Sequence, residues 1–352
     1  MLSNEKKELI SLEVIKTLDS RFANFPEDSS GNRNAPFHEA FLNAFTDKFE
    51  GKVSDIPFFI SLSSWLHGLN TTLGQSFFEN VAHILSGGQK RGFTKKANSL
   101  LKITNEQKEA IADIITDLKN GNEAPDLNRE NDLIFVDTGE EIDANSFTVD
   151  VYCEDEDSIV AVELKTVKPN AGEMRLEKQK ILEAKSALFR KFPSKNNILF
   201  FIGFPFDPTS ETPTGYDKER FLDSIVDGKK YYDNSEILLA DELWNYLSAD
   251  TNTMQQIIDI INTIATPDFK RKYDLLNNPD TDLSVKETVL SDWNLLSEIE
   301  LIERNNDILS RISANKRLKR IYNQTFFKDG KHNLVRFQTL KNLVIGYTGL
   351  ME

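Results

Sequence analysis

Apolar residues recur every three or four positions in four stretches of the first 120 residues: KKELISLEVIKTL, PFHEAFLNAFTDKF, LGQSFFENVAHIL and TNEQKEAIADIITDLKNG. That spacing lines one face of a helix, so the N-terminal third is predicted to be mainly helical. The last stretch opens on Thr104, a good N-cap residue, and closes on Gly121, which tolerates the left-handed backbone of a helix stop. The polar segment NGNEAPDLNREN breaks the pattern, and from Leu133 the period changes to alternation in LIFV, NSFTVDVY and SIVAVELK. Alternation predicts half-buried strands. A helical stretch near 173–191, the apolar run NILFFIGF and the strand-then-helix pattern of EILLADELWNYL follow. Three strands, a helix and a further strand describe a mixed α/β core. Beyond about residue 250 the helical period returns, as in SDWNLLSEIELIERNNDILSRI. The expected organisation is a helical region over 1–125, a core over 126–250 and a helical region over 251–352 suited to DNA binding or dimerisation.

Length and composition narrow the class. A chain of 352 residues with 39% hydrophobic content and 24 Phe can bury a sizeable core. No apolar run approaches the roughly 20 residues needed to cross a bilayer, so no membrane partner is expected. The start of the chain has no basic-then-apolar export pattern. One cysteine, Cys153, excludes an internal disulfide framework and a thiolate zinc site, in keeping with a cytoplasmic protein. The formal charge of −14 opposes a polyanionic partner on average. Local patches run the other way: Lys90, Arg91, Lys95, Lys96 and Lys102 lie in a stretch without acids, a second basic stretch runs from Lys165 to Lys195 diluted by Glu173, Glu177 and Glu183, and Lys316, Arg317, Lys319 and Arg320 form a third.

Two apparent motifs fall away. Leu85-Ser86-Gly87-Gly88-Gln89 spells a signature of ATP-binding-cassette ATPases, but no GxxxxGK[ST] phosphate loop accompanies it. Gly87 and Gly88 are therefore a helix stop, and QKRGFTKK after them is a basic loop. His38, His67, His83 and His332 have no metal-ligand spacing.

The stretch NSFTVDVYCEDEDSIVAVELK carries chemistry. If Glu154-Asp155-Glu156-Asp157 is the turn of an antiparallel hairpin, Phe147, Val149 and Val151 face Leu164, Val162 and Val160 on a wholly apolar side. The other side, left to solvent, carries Asp150 diagonal to Glu163, with Lys165 two residues on. Two carboxylates and an ammonium converge. Carboxylates suit hard Mg²⁺, which keeps water and phosphate in its remaining positions, and Lys165 can hold the attacking water and stabilise negative charge. The acid-x-Lys triplet occurs elsewhere, for example Glu106/Lys108 and Glu183/Lys185, but in helical patterns where the two side chains diverge.

Asp150, twelve intervening residues and Glu163-Leu164-Lys165 resemble the motif of the PD-(D/E)xK nuclease superfamily, with Val149 where proline often precedes the aspartate. The longer VELKTVKPNAGEMRLEKQKILEAKSAL, with FFIGFPFDP and ELWNYLS, resembles the TdeIII family of type II restriction endonucleases over about Gly74 to Ala249. The resemblance implies a restriction-endonuclease-like αβββαβ core with a mixed sheet, flanked by helical regions. It implies Asp150, Glu163 and Lys165 as catalytic, with metal held by Asp150, Glu163, the Leu164 carbonyl and, from the preceding helix, Glu79. Lys90, Arg91, Lys95, Lys96, Lys168, Gln179 and Lys180 are the expected DNA-binding residues.

The expected activity is Mg²⁺-dependent, sequence-specific cleavage of double-stranded DNA leaving 5′-phosphate and 3′-hydroxyl ends, with Mn²⁺ able to substitute. A symmetric double-strand cut favours a homodimer. A cognate DNA methyltransferase is the expected functional partner. The rival readings are a structure-selective repair or recombination nuclease, which would cut only junctions, flaps or ends, and a non-catalytic DNA-binding module.

Overall fold

A computed structural model describes residues 1–28, 36–45, 55–166 and 171–344, and in it the alternating segments become the middle of a five-stranded sheet. They belong to one of two units, made of Met1–Leu2 and Phe78–Ile258. Its main elements are helix α1 (Phe78–Ser86), strands β1 (Gln89–Phe93) and β2 (Lys102–Thr104), and helices α2 (Asn105–Asn120) and α3 (Leu127–Ile134). Strands β3 (Glu141–Asp143), β4 (Phe147–Glu154) and β5 (Ser158–Leu164) follow, then helix α4 (Ala171–Lys191), strands β6 (Asn197–Phe204) and β7 (Ile237–Leu239), and helix α5 (Asp241–Ser248). The sheet order is β1-β4-β5-β6-β7, antiparallel as far as β5 and parallel beyond it. Helix α4 is the crossover that the parallel β5–β6 pair requires.

Helix α1, strands β1, β4 and β5, helix α4 and strand β6 form the expected αβββαβ core. Its first strand, however, is QKRGF and not LIFV. Leu133 and Ile134 instead end α3, which Asp126 caps by accepting the Arg129 amide at 2.9 Å and which buries Glu130 and Ile134 four residues apart. A short apolar run fits either element, and here the cap decides. QKRGF reads as a loop because it is so polar, yet it is an edge strand, where Lys and Arg discourage stray pairing. Phe93 stacks on Phe147 at 4.8 Å, and the Arg91 guanidinium lies 4.3 Å from the Tyr152 ring centre and 3.0 Å from Glu154.

The helix stop is as expected: Gly87 has φ +68° and its amide bonds to the His83 carbonyl at 2.9 Å. Helix α2 likewise begins at Thr104, which caps the Gln107 amide, and stops at Gly121.

The hairpin closes two residues away from the predicted register. Val151 pairs with Val162 and Cys153 with Val160. Asp155 explains the slip: its carboxylate accepts the Asp157 and Ser158 amides, so the turn needs only Glu156 and Asp157 between the paired ends. A slip of two preserves each residue's face. The register ends at Val151–Val162, which leaves Asp150 and Glu163 as the next residues on the two adjoining strands.

Both faces of the sheet are covered. Helix α4 lies over the Glu163 side, and Leu243 of α5 packs on the Val162 and Leu164 side, so close to Gly203 that a Cβ there would meet Leu243 and Val162 at 2.9 Å.

The second unit, Ser3–Phe77 with Asp259–Glu352, is mainly helical in its described parts, with one short antiparallel pair, Phe327–Lys328 and Lys331–His332. The helix Asn4–Phe22 brings Phe22 to Phe269, which in turn stacks on Trp293, each pair 5.4 Å apart. A buried Glu298 pairs with Arg336 at 2.8 Å and with His332 at 2.8 Å.

Candidate active site

Strand pairing delivers the first carboxylate. Gln89 pairs with Tyr152 and Arg91 with Val149, so Asp150 and Val151 together face Lys90, and β4 bulges at Asp150. Bulges re-aim side chains, and this one leaves Asp150 with two partners: its Oδ2 accepts the Leu164 amide at 3.0 Å, and its Oδ1 is 3.3 Å from Lys90 Nζ. From the helix side, His83 Nε2 bonds to the Asp150 carbonyl at 2.7 Å.

Glu163 stands at the end of β5 and is only 9% exposed, not on the solvent-facing surface that alternation suggested. Helix α4 explains the difference, because it covers that side of the sheet. Lys165 Nζ lies 3.1 Å from Glu163 Oε1 and 3.1 Å from Glu177 Oε2, and Lys180 Nζ lies 3.1 Å from the same Glu163 Oε1 and 2.9 Å from Glu177 Oε1. Two ammonium groups thus share one oxygen of Glu163. Its other oxygen, Oε2, is buried with no hydrogen-bond partner.

Burial pushes the Glu163 carboxyl above the usual range, Lys180 pulls it back and the nearby Asp150 charge adds to the rise. For Lys165, burial favours the neutral amine, but Glu163 and Glu177 outweigh it and hold the group above the ordinary lysine value. Lys165 is therefore an ammonium, suited to donating hydrogen bonds and offsetting negative charge. Burial would raise Glu177, yet Lys165 and Lys180 bring it below the ordinary value.

Other predicted residues distribute unevenly. Glu79, in the first turn of α1, meets Lys90 at 2.8 Å, so Lys90 bridges it to Asp150. Lys180 faces Glu163 and Glu177, while Gln179 beside it is exposed. Arg91 pairs with Glu154; Lys95 is exposed, 3.6 Å from Asp143; and Lys96 is exposed. Lys168 lies outside the described residues. Sequence reasoning missed Glu177 and His83. The Glu177/Lys180 spacing of three, one helix face, was the signal available for the first; nothing local marked the second.

Among the described residues no group of three or more His, Cys, Asp or Glu forms a ready metal cage. The candidate donors are two carboxylates, Asp150 and Glu163, and Glu163 Oε2 is buried without a hydrogen-bond partner. Hard oxygens in that number fit Mg²⁺, which usually takes one or two protein carboxylates and retains water.

The family model for the HinfI type II restriction endonuclease matches residues 2–265. The chain belongs to the HinfI family of type II restriction endonucleases. It is 43% identical to the type II restriction enzyme MjaII of Methanocaldococcus jannaschii, across 94% of this chain and 95% of that protein. No solved structure matches. The family found is HinfI's, and the expected resemblance to the TdeIII family is not shown; the type II class is the part of that expectation the comparisons support. All the expected site residues lie inside the matched span.

Proposed function

We propose that the chain is a Mg²⁺-dependent, site-specific endonuclease that hydrolyses phosphodiester bonds in both strands of DNA, leaving 5′-phosphate and 3′-hydroxyl ends, with Asp150, Glu163 and Lys165 as its PD-(D/E)xK catalytic set. The observation that carries the site is the bare, buried Glu163 Oε2 beside Asp150 and the Lys165 ammonium.

Asp150, Glu163 and the Leu164 carbonyl would hold the ion, and Glu79 would join them once Lys90 gives way. When bound, a divalent ion supplies Lewis-acid stabilisation of the phosphate and a more acidic attacking water. The rest falls to the chain. Lys165, kept cationic by its two glutamates, donates hydrogen bonds to the attacking water and to a non-bridging oxygen, where charge grows in the transition state. The Leu164 amide and the His83 ring hold Asp150 from both ends of its residue, fixing the carboxylate before substrate binds. Lys90, Arg91, Lys95, Lys96, Gln179 and Lys180 supply positive or donor groups near the DNA phosphates.

A symmetric cut calls for two copies of this site, so the working form is a homodimer. A cognate methyltransferase protects the host's own sites.

The test is incubation with a large defined DNA and Mg²⁺ followed by sequencing of the ends. Discrete fragments sharing one short sequence at their ends are expected. Cutting only at flaps or junctions, random ends, or full activity in excess chelator would each overturn the proposal.

A further inference from the structure

Glu177 and Lys180 have no place in the three-residue motif, yet they complete a ring with Glu163 and Lys165. Each lysine bridges both glutamates, at distances between 2.9 and 3.1 Å. The two glutamates are used differently. Glu177 turns one oxygen to each lysine, its Oε1 meeting Lys180 as an ion pair without a hydrogen bond, whereas Glu163 offers both lysines a single oxygen and its Oε2 has neither an ion pair nor a hydrogen bond among the described residues. A cation approaching Glu163 therefore competes with two ammonium groups for a carboxylate whose charge is already shared. Glu177 decides the outcome, because it can retain both lysines when Glu163 turns to the ion.

We propose that Glu177 is a positioning residue: it draws Lys165 and Lys180 off Glu163 when a divalent ion binds, leaving Lys165 anchored at the scissile phosphate, while Lys180 is the resident cation the ion displaces. This rests on the reading of Glu163 as a metal ligand. Formal charge supports the exchange. Asp150, Glu163, Glu177 and Glu79 against Lys165, Lys180 and Lys90 leave one net negative charge. One divalent ion reverses it to a single positive charge, which one phosphodiester then cancels. Helix α4 gives the anchor its rigidity: Glu177 and Lys180 lie one turn apart on it, and Met174, Lys178, Ile181 and Leu182 around them are buried.

The experiment titrates the full chain with Mn²⁺ in the absence of DNA, reading free Mn²⁺ by electron paramagnetic resonance. Glu177→Gln should weaken Mn²⁺ binding about tenfold, the size usual for loss of a group that orients a ligand, and Glu177→Asp should recover part of it. Lys180→Met should tighten binding several-fold, since it removes a competitor for Glu163. A merely structural role would not shift the two variants in opposite directions. Shifts of the same sign, or none, overturn the proposal when Glu163→Gln still abolishes binding. Should Glu163→Gln leave Mn²⁺ affinity unchanged, the metal reading beneath it falls instead.

Discussion

Helix α4 carries two charge clusters built from the same residue types, and they do opposite things. On one side Glu177 and Lys180 meet Glu163 and Lys165, with the two lysine side chains 29% and 31% exposed. On the other, Lys178 is 0% exposed and pairs with Glu130 at 2.5 Å and with Glu236 at 2.7 Å, while Lys185 lies buried over the Phe135 ring with no hydrogen bond to its Nζ. Glu130 also has an oxygen without a partner, so a bare buried oxygen does not mark a metal site by itself. Access does. On the proposed function an ion and a phosphate would approach Glu163 past its two partly exposed lysines, whereas the Lys178 cluster is sealed and can only hold the helix down. Sealed charges cost several kcal/mol each to desolvate and tolerate no missing partner; accessible ones can trade partners, which a catalytic site requires.

The largest effect should separate the clusters by activity. Asp150→Asn and Glu163→Gln should each lower the DNA cleavage rate about 5000-fold, roughly 5 kcal/mol of transition-state stabilisation, while gel-shift binding of DNA and the melting curve stay close to the parent. Cleavage near the parent rate in both variants would remove the site assignment. The sealed cluster should respond in stability. Lys178→Met leaves Glu130 and Glu236 without their main counter-charge and should destabilise the chain by about 3 to 5 kcal/mol. Glu177→Gln, one residue away, should cost less than about 1 kcal/mol. Equal losses in urea unfolding would erase the distinction drawn here.

The proposed catalytic pair could be singled out in the sequence because strand alternation separates Glu163/Lys165 from the other acid-x-Lys triplets and leaves Asp150 upstream on a neighbouring strand. Its geometry was less so. The two-residue slip comes from side-chain bonds of Asp155 to the turn amides, and the bulge at Asp150 comes from pairing with a strand too polar to be read as one. Burial of Glu163 is a tertiary effect of α4, which pattern along β5 cannot report. Glu177 was missed for the same reason: its spacing of three from Lys180 is a signal, but a helical Glu three residues from a Lys is usually a solvated pair, and only the packing of α4 turns it toward Lys165.

Lys185 sharpens the comparison through pH. Burial drives its ammonium down to about 8, against the partial support of Glu236. In the unfolded chain the group titrates near the ordinary 10.5. The folded state therefore binds the proton less well, its stability rises with pH between about 8 and 10.5, and below that window the full penalty applies, roughly 3 kcal/mol. Lys185→Met removes the penalty, so the variant should be more stable than the parent at pH 7 by up to roughly 3 kcal/mol, with the gain shrinking as pH approaches 10. A gain that is constant with pH, or a loss, in urea unfolding at the two pH values would show that the ammonium is not penalised.

The smallest effect belongs to cations in neither cluster. Lys95 is exposed and held only at 3.6 Å from Asp143, and Lys96 is exposed beyond the end of β1. If that end of the strand tracks the DNA backbone, each contributes one screened phosphate contact and no chemistry. Lys96→Ala should then leave the single-turnover cleavage rate unchanged at saturating enzyme and reduce the slope of log affinity against log salt by about 0.9, the value for one released counterion. The double variant with Lys95→Ala should reduce it by roughly twice that, because separate phosphate contacts add. An unchanged slope would place the DNA on another face. A lowered cleavage rate at saturation would instead draw these lysines into the accessible cluster, and exposure would cease to be the property that separates DNA holding from catalysis.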